Sequence, residues 1–243
     1  MTDPTKPAEK ASSRAQELVY QERAEAYDEL IAREDVDGAI LRAIEAHVLL
    51  DDKRIADVGA GTGRLSRLIG ARAAHIDLID RAEPMLEVAK ARLQGLGLRS
   101  HAIHVADARA LPLADKSADL AMAGWVFGHF RHWMPEGWRL EVDTALREMK
   151  RIVKPGGAIL LIESLGTGYE TPREANPLDE YFAHLEAHHG FTRSWFRTDY
   201  AFESEEHAAR VCEGFFGAAL VEKIRAHGWS RVPECTALFF LRC

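Results

Sequence analysis

Three glycines stand at every second position in the sequence IADVGAGTGRLS, and an acidic residue comes just before them. They are Gly59, Gly61 and Gly63, preceded by Asp57. Glycines at this spacing indicate a turn whose backbone closely approaches a ligand. A dinucleotide fingerprint has its third glycine one position later, where Arg64 stands, and the GxxxxGK[ST] sequence of a P-loop does not occur. The turn therefore predicts a ligand that is not held by phosphate groups.

The charge of Asp57 narrows the choice of ligand further. A carboxylate beside the turn would repel a pyrophosphate and attract an ammonium or a sulfonium group. S-adenosylmethionine carries both of these cations and no phosphate. The turn and Asp57 therefore predict S-adenosylmethionine as the ligand.

Two more carboxylates come at the ends of predicted strands. Asp80 ends AHIDLID and can accept hydrogen bonds from both ribose hydroxyls, whereas Asp107 ends HAIHVAD and can accept from an adenine amino group. The N–H of Ala108 can donate to an adenine ring nitrogen, and Met85 is placed to pack on the adenine face. Asp77 lies in the same strand as Asp80 but on the opposite face, so we predict a solvated or capping group there.

Aromatic and imidazole side chains follow the fourth predicted strand, in the sequence GWVFGHFRHW. Trp125, His129, His132 and Trp133 either line a substrate pocket or serve in packing, and both interpretations stay open. His129 is the predicted catalytic proton acceptor, because an imidazole titrates near neutral pH. His132 is the alternative, since it would share the same helical face.

Three residues outside these motifs are also candidates for contact with the ligand or substrate. Tyr20 and Tyr27 lie on a predicted amphipathic helix before the first strand. They either line its buried face or form a lid over the cofactor, and we favour the lid. Arg197 either clamps a substrate carboxylate or pairs with a surface acid.

A group of histidines near residue 186 has the composition of a metal site. His184 and His188 are spaced i, i+4 on a predicted helix, with Glu186 and His189 beside them. The HExxH motif does not occur, and the sequence indicates no third ligand. We therefore predict no metal here and interpret the histidines as a solvated helix end, where their charge suits the helix dipole.

The elements that must position these residues alternate between strand and helix. Short apolar runs typical of buried strands are RIADVG, AHIDLID, HAIHVAD, ADLAMAG and AILLIES. This alternation predicts an α/β fold with a doubly wound, mostly parallel sheet. A helix extending to Val48 should precede the sheet. Further on we predict a strand in TRSWFRTDY, helices over 178–189, 204–217 and 218–227, and a final strand in CTALFFLR.

Composition limits the partners of the chain. Its 243 residues carry a formal net charge of −7, which argues against a nucleic acid as partner. No signal peptide or membrane-spanning run is apparent. Cys212, Cys235 and Cys243 lack metal-ligand spacing, so we predict reduced thiols in a cytoplasmic protein. The oligomeric state stays open.

The motifs taken together resemble the class I S-adenosylmethionine-dependent methyltransferases. DVGAGTG, LIDRAEPMLEVA, VADARALPLADKSADLAMAG and REMKRIVKPGG follow one another as that family's motifs do, over roughly residues 50–165. The closest resemblance is to the small-molecule branch that includes quinone-biosynthesis methyltransferases. It implies a Rossmann-like, seven-stranded sheet with an antiparallel last strand, which would be CTALFFLR. The predicted cofactor-binding residues are Asp57, Gly59, Ala60, Gly61, Gly63, Asp80, Arg81, Met85, Asp107, Ala108, Tyr20 and Tyr27.

The resulting prediction is a methyltransferase that acts on a small molecule by in-line displacement. We predict a single domain over 1–243, with a tail and helical lid in 1–49, a cofactor-binding core in 50–165 and a substrate-side elaboration in 166–243. One alternative is a non-catalytic module that binds S-adenosylmethionine. A less favoured alternative is a nicotinamide-dependent oxidoreductase, against which Asp57 and the early third glycine argue.

Overall fold

The computed structural model describes residues 29–94, 96 and 100–243. They form two compact units. The larger unit holds Asp35–Asp199 and Pro233–Cys243, and the smaller holds the described residues through Glu34 together with Tyr200–Val232. Among the described residues, no helix combines the length and the apolar composition that crossing a membrane requires. The predicted single domain stays a prediction.

Seven strands form the sheet of the larger unit. The strands of the described chain are β1 (Arg54–Val58), β2 (His75–Asp80), β3 (His101–Val105), β4 (Ala118–Gly124), β5 (Val153–Thr167), β6 (Thr192–Arg197), β7 (Tyr200–Ala201), β8 (Arg231–Val232) and β9 (Glu234–Arg242). The sheet has the order β3-β2-β1-β4-β5-β9-β6. Neighbours from β3 to β5 are parallel, whereas β9 is antiparallel to β5 and to β6. The predicted mostly parallel sheet with an antiparallel last strand is confirmed.

Helices cover both faces of this sheet. Those of the larger unit are α1 (Ala39–Glu45), α2 (Arg64–Ile69), α3 (Glu83–Leu93), α4 (Gly128–Trp133), α5 (Trp138–Ile152) and α6 (Asp179–His189). α5 shows how the sequence fixes their orientation, because Val142, Leu146 and Met149 are buried at helical spacing. They share a core with Ala121 and Ile159 of the sheet, while α1, α2 and α3 pack on the other face.

The first helix of the larger unit is shorter than predicted. α1 ends at Glu45, so Val48 lies beyond it. The N–H groups of His47 and Val48 both donate to the carbonyl of Ile44, which closes the last turn.

The order of the strands reverses at β1. The chain adds β2 and β3 on one side of β1, and β4 and β5 on the other. In open α/β sheets the carboxyl ends of strands at such a reversal flank a crevice that binds ligands. Asp57 in β1 and Asp80 at the end of β2 therefore meet at the edge where a ligand is expected.

The smaller unit has its own core. Its elements are β7, β8, α7 (Glu205–Phe216) and α8 (Ala218–His227), and residues 29–31 are also helical. Leu30, Phe202 and Val232 are among the buried residues of this core. Ser204 begins α7, since its side chain accepts a hydrogen bond from the N–H of His207.

Candidate functional site

The glycine turn connects β1 to α2. Gly59, Gly61 and Gly63 have φ angles of 73°, 53° and 78°, in the left-handed region that side chains with a Cβ atom disfavour. The N–H groups of Gly59 and Ala60 both donate to the carbonyl of Ile79, at 2.7 and 3.0 Å. These bonds fix the turn to β2.

The space beside the turn differs between two of its glycines. A Cβ atom on Gly59 would lie 2.4 Å from a side-chain methyl of Val126, so that side of the backbone is already covered. Among the described residues, a Cβ atom on Gly61 would meet only the terminal methyl of Met85 within 4 Å, at 3.7 Å. The described part of the chain therefore leaves room beside Gly61, on the side where Met85 lies.

Asp57 is buried beneath the turn. Its Oδ2 accepts hydrogen bonds from the N–H and the hydroxyl of Ser66 in α2, at 3.1 and 2.6 Å. Burial raises the pKa of Asp57 to about 6, against the effect of the Ser66 hydrogen bonds and together with the charge of Asp80. A cation nearby would restore the charged form. Asp57 thus holds the start of α2, and its predicted contact with a cationic ligand stays a prediction.

Asp80 links the glycine turn to α3. Its Oδ2 accepts from the N–H of Gly61 at 2.8 Å, and its Oδ1 accepts from the N–H of Ala82 at 2.9 Å. A carboxylate has about four acceptor sites, so each oxygen keeps capacity for another donor. The structure therefore places a half-exposed carboxylate directly beside the open space at Gly61.

Asp107 is held by an arginine that the sequence analysis did not single out. Arg109 donates to both oxygens of Asp107, through Nε at 2.8 Å and a terminal nitrogen at 2.6 Å, and it also binds Glu141 at 2.6 Å. The hydrogen bonds from Arg109 and its charge lower the pKa of Asp107, although burial acts in the other direction. Asp107 is thus a fixed, charged acceptor, and Ala108 packs beside it against the core.

His129 lies in a stack of three side chains. Its ring is parallel to that of Trp133, with centroids 4.8 Å apart and 9° between the planes. The guanidinium of Arg81, which follows Asp80, lies 5.3 Å from the centroid of Trp133. Burial lowers the pKa of His129, and the charges of His132 and Arg81 contribute, which keeps the imidazole neutral near neutral pH. The structure therefore connects His129 to the end of β2.

Trp125 and His132 differ from the stacked residues. Trp125 has a φ of 55°, donates its N–H to Ile162, and has the guanidinium of Arg64 4.0 Å from its ring centroid. It also packs against the core around α2. His132 is exposed on α4. Roles of either residue in substrate binding stay predictions.

Of the remaining predicted contact residues, Arg197 is the one that lies in the described chain, at the end of β6. The Nε of Arg197 donates to Asp199 at 2.7 Å, and a terminal nitrogen donates to the Glu170 carbonyl at 3.2 Å. Asp199 is buried, so the partner of Arg197 is not the surface acid considered above. Tyr20 and Tyr27 lie outside the described residues.

Two predictions of solvated side chains are wrong. Asp77 is buried, and it is paired with Arg54 while accepting hydrogen bonds from His75 and His104. His184 is also buried and hydrogen-bonded, because α6 presents it to α5. Both predictions considered the local pattern alone, whereas Arg54, His104 and Asp143 come from distant positions in the chain.

Glu163 is a buried acid that sequence reasoning missed. It lies in β5 and its Oε1 accepts from the N–H of Gly128 at 3.0 Å and from the hydroxyl of Tyr181 at 3.2 Å. Glu163 thereby fixes the start of α4, the helix that carries His129. Burial raises its pKa to about 7 in spite of these hydrogen bonds. The signal was present in AILLIES, where a carboxylate interrupts an apolar strand.

We expect Glu163 to make the stability of the protein depend on pH. Its folded-state pKa is about 7 against an ordinary value of 4.5, so its stabilising contribution is complete below the ordinary value and is lost as the pH rises through 7. The loss amounts to about 3 kcal/mol at most, at 1.36 kcal/mol per pKa unit. Glu163→Gln should flatten the fall in Tm between about pH 5 and about pH 8. Glu136→Gln, which changes an exposed side chain, should leave the fall in Tm with pH as in the wild type. If Tm falls with pH as steeply in Glu163→Gln as in the wild type, Glu163 is not the cause of the pH dependence.

The fold and the site together define an α/β protein with a carboxylate-lined ligand site at the carboxyl edge of its parallel strands. Residues 56–161 match the protein family described as "Methyltransferase domain". Over this segment the predicted resemblance to methyltransferases is confirmed.

Named relatives agree with this result. The chain is 32% identical over 140 residues to malonyl-[acyl-carrier protein] O-methyltransferase of Halorhodospira halophila, covering 56% of this chain and 43% of that protein. It is 31% identical over 124 residues to demethylmenaquinone methyltransferase of Thermus thermophilus, covering 50% of this chain and 52% of that protein. The matches thus span about half the length of these relatives.

A solved structure shows the same fold. The YcgJ protein of Bacillus subtilis superposes with a TM-score of 0.55 at 18% identity, covering 84% of this chain and 95% of that chain.

Proposed function

We propose that this protein is an S-adenosylmethionine-dependent methyltransferase that acts on a small molecule. The observation that carries the proposal is the position of Asp80 within the methyltransferase domain. Its carboxylate binds the N–H of Gly61 and keeps acceptor capacity beside the open space at that glycine.

The residues present fit S-adenosylmethionine. The open space at Gly61 would admit the methionine part of the cofactor, and Asp57 beneath the turn favours its positive charge. Asp80 would accept from the ribose hydroxyls, and Asp107 with Met85 would bind the adenine. When bound, S-adenosylmethionine supplies a methyl group on a positively charged sulfur. The neutral thioether that remains after the transfer is a good leaving group.

The chain's own residues then have three tasks. The glycine turn and Asp80 hold the reactants in one orientation, which removes much of the entropic barrier to an in-line displacement. The stack of Trp133 on His129 provides an apolar wall that limits the entry of water. His129, kept neutral by its lowered pKa, takes a proton from the acceptor when the nucleophile must lose one.

Two measurements test the proposal. Calorimetric titration with S-adenosylhomocysteine should show binding to one site per chain, and NADH should not bind. Incubation with methyl-labelled S-adenosylmethionine and a pool of small metabolites should then label an acceptor. Binding of NADH alone would support the oxidoreductase, and cofactor binding without transfer to any acceptor would support the non-catalytic module.

We expect Asp80→Ala to weaken cofactor binding by about ten- to a hundredfold, because charge-assisted hydrogen bonds of about 1.5–3 kcal/mol are lost. The Gly61 N–H also loses its partner, so the turn becomes less ordered. Titration of the folded variant with S-adenosylhomocysteine measures the effect. As a control, Asp115→Ala removes an exposed carboxylate elsewhere and should bind S-adenosylhomocysteine as the wild type does. Unchanged affinity in Asp80→Ala would show that Asp80 does not bind the ribose.

We also propose the finer points of partner and location. The net charge of −7 supports a small acceptor rather than a nucleic acid. The names of the relatives specify two different acceptors, so only the class of acceptor is proposed here. No disulfide joins the three cysteines, which supports a cytoplasmic location.

A further inference from the structure

Two histidines of α6 converge on one carboxylate oxygen of α5. The Nε2 atoms of His184 and His189 lie 2.6 and 2.7 Å from Oδ1 of Asp143. One ligand atom from each of the three residues lies within 4.8 Å of the others. The two histidines are mostly buried, whereas the Asp143 side chain is 37% exposed. We call these three residues the His–Asp–His cluster.

The cluster supplies the donor set of a transition-metal site. Two imidazole nitrogens and one carboxylate oxygen are ligands that Zn²⁺ and its neighbours prefer. Tetrahedral bonds of about 2.0–2.1 Å place ligand atoms roughly 3.3 Å apart. To admit an ion, each Nε2 would therefore move away from Oδ1 of Asp143 by less than about 1 Å, and any ligand atoms near the 4.8 Å limit would move closer together. Because Asp143 is partly exposed, water could complete the coordination.

We propose that the His–Asp–His cluster binds a divalent transition-metal ion, of which Zn²⁺ is the best fit. Such an ion would join α6 to α5. α6 also carries Tyr181, whose hydroxyl donates to Glu163, and Glu163 in turn holds the start of α4. The ion would therefore also stabilise the position of α4. The cluster shares no residue with the glycine turn, and its metal binding is independent of the proposed methyl transfer.

A second group of similar composition shows what distinguishes the cluster. Asp77 also accepts hydrogen bonds from two histidines, His75 and His104, at 3.3 and 2.9 Å. There Arg54 donates to both oxygens of Asp77 and already supplies the positive charge. In the described part of the chain, the hydrogen bonds to Asp143 come from the two histidines alone, so a cation would supply the charge that Arg54 supplies at Asp77.

Zinc titration of the metal-stripped, full-length protein tests the proposal. ZnCl₂ alone should bind one ion per chain in calorimetry and raise Tm, since a ligand that binds only the folded state stabilises it. His189→Ala and Asp143→Asn should each weaken binding by at least about tenfold, as is usual for loss of a supporting or direct ligand. Should Asp143→Asn not fold, His189→Ala still provides the test.

Two matched variants define the specificity of the effect. His188→Ala removes an exposed histidine of the same helix, and His104→Ala disrupts the group at Asp77; both should bind Zn²⁺ as the wild type does. No binding to the wild type would overturn the proposal and leave a purely hydrogen-bonded cluster. Equal binding by the wild type and His189→Ala would also overturn it.

Discussion

The Gly61→Val variant is expected to fold and to lose S-adenosylmethionine binding by more than about a hundredfold, or about 3 kcal/mol. Folding should survive, because among the described residues a Cβ atom at this position would meet only Met85 within 4 Å. The φ of 53° adds a backbone cost of about 1–2 kcal/mol, small beside a typical stability of about 5–15 kcal/mol. Binding should fail, because the branched side chain fills the space assigned to the methionine part of the cofactor.

A second glycine separates the backbone cost from the loss of space. Gly156 has a φ of 80° and no atom within 4 Å of a Cβ, so Gly156→Val bears a similar strain away from the glycine turn. Circular dichroism should show both variants folded, and calorimetry with S-adenosylhomocysteine should detect binding only in Gly156→Val. Normal binding by Gly61→Val would mean that the glycine serves only the turn.

The His129→Ala variant is expected to lower turnover by at least about a hundredfold, the lower range of general-base catalysis, with little change in cofactor affinity. His129 stacks on Trp133, so its removal also opens a gap in that wall. His129→Phe keeps an aromatic ring and removes the proton acceptor together with the hydrogen bond of the imidazole to the Trp125 backbone. Equal turnover losses in the two variants would identify proton transfer, whereas full activity in His129→Phe would reduce His129 to packing.

The pH dependence of the rate offers an independent check on His129. A general base must be neutral, and the pKa of His129 lies below its ordinary value of 6.5 because of burial and the nearby charges of His132 and Arg81. The wild-type rate should therefore be constant through neutral pH and fall only under more acidic conditions. The rate of His132→Ala should show the same decrease at acidic pH. If that decrease is lost in His132→Ala, His132 and not His129 is the general base.

Much of the scaffold was predictable because it depends on local patterns. The apolar runs of β1 and β4 and the glycine turn specify a parallel sheet and its ligand-binding edge. The seven-residue run CTALFFL of β9 was equally clear, although its antiparallel direction came from the resemblance to a family. Helix α5 likewise follows from a local pattern, since its buried stripe is regular over its length.

The polar partnerships could not be predicted, because they join residues far apart in the chain. Asp143 meets His184 across 41 positions and Glu163 meets Gly128 across 35. Neither pair has a periodic signature, and the burial of each carboxylate is decided by packing of whole helices on the sheet. The solvated role assigned to His184 was wrong for this reason.

The position of β9 has a consequence for how the chain folds. This strand is synthesised after all the others, yet it inserts between β5 and β6 in the finished sheet. Ala158, for example, pairs with Arg242, so the loop to be closed is long, and such nonlocal pairing slows folding. Until β9 has emerged from the ribosome, the edge of β5 that faces away from β4 lacks the strand that covers it in the finished sheet. Newly made chains should therefore depend on chaperones that shield this edge during synthesis.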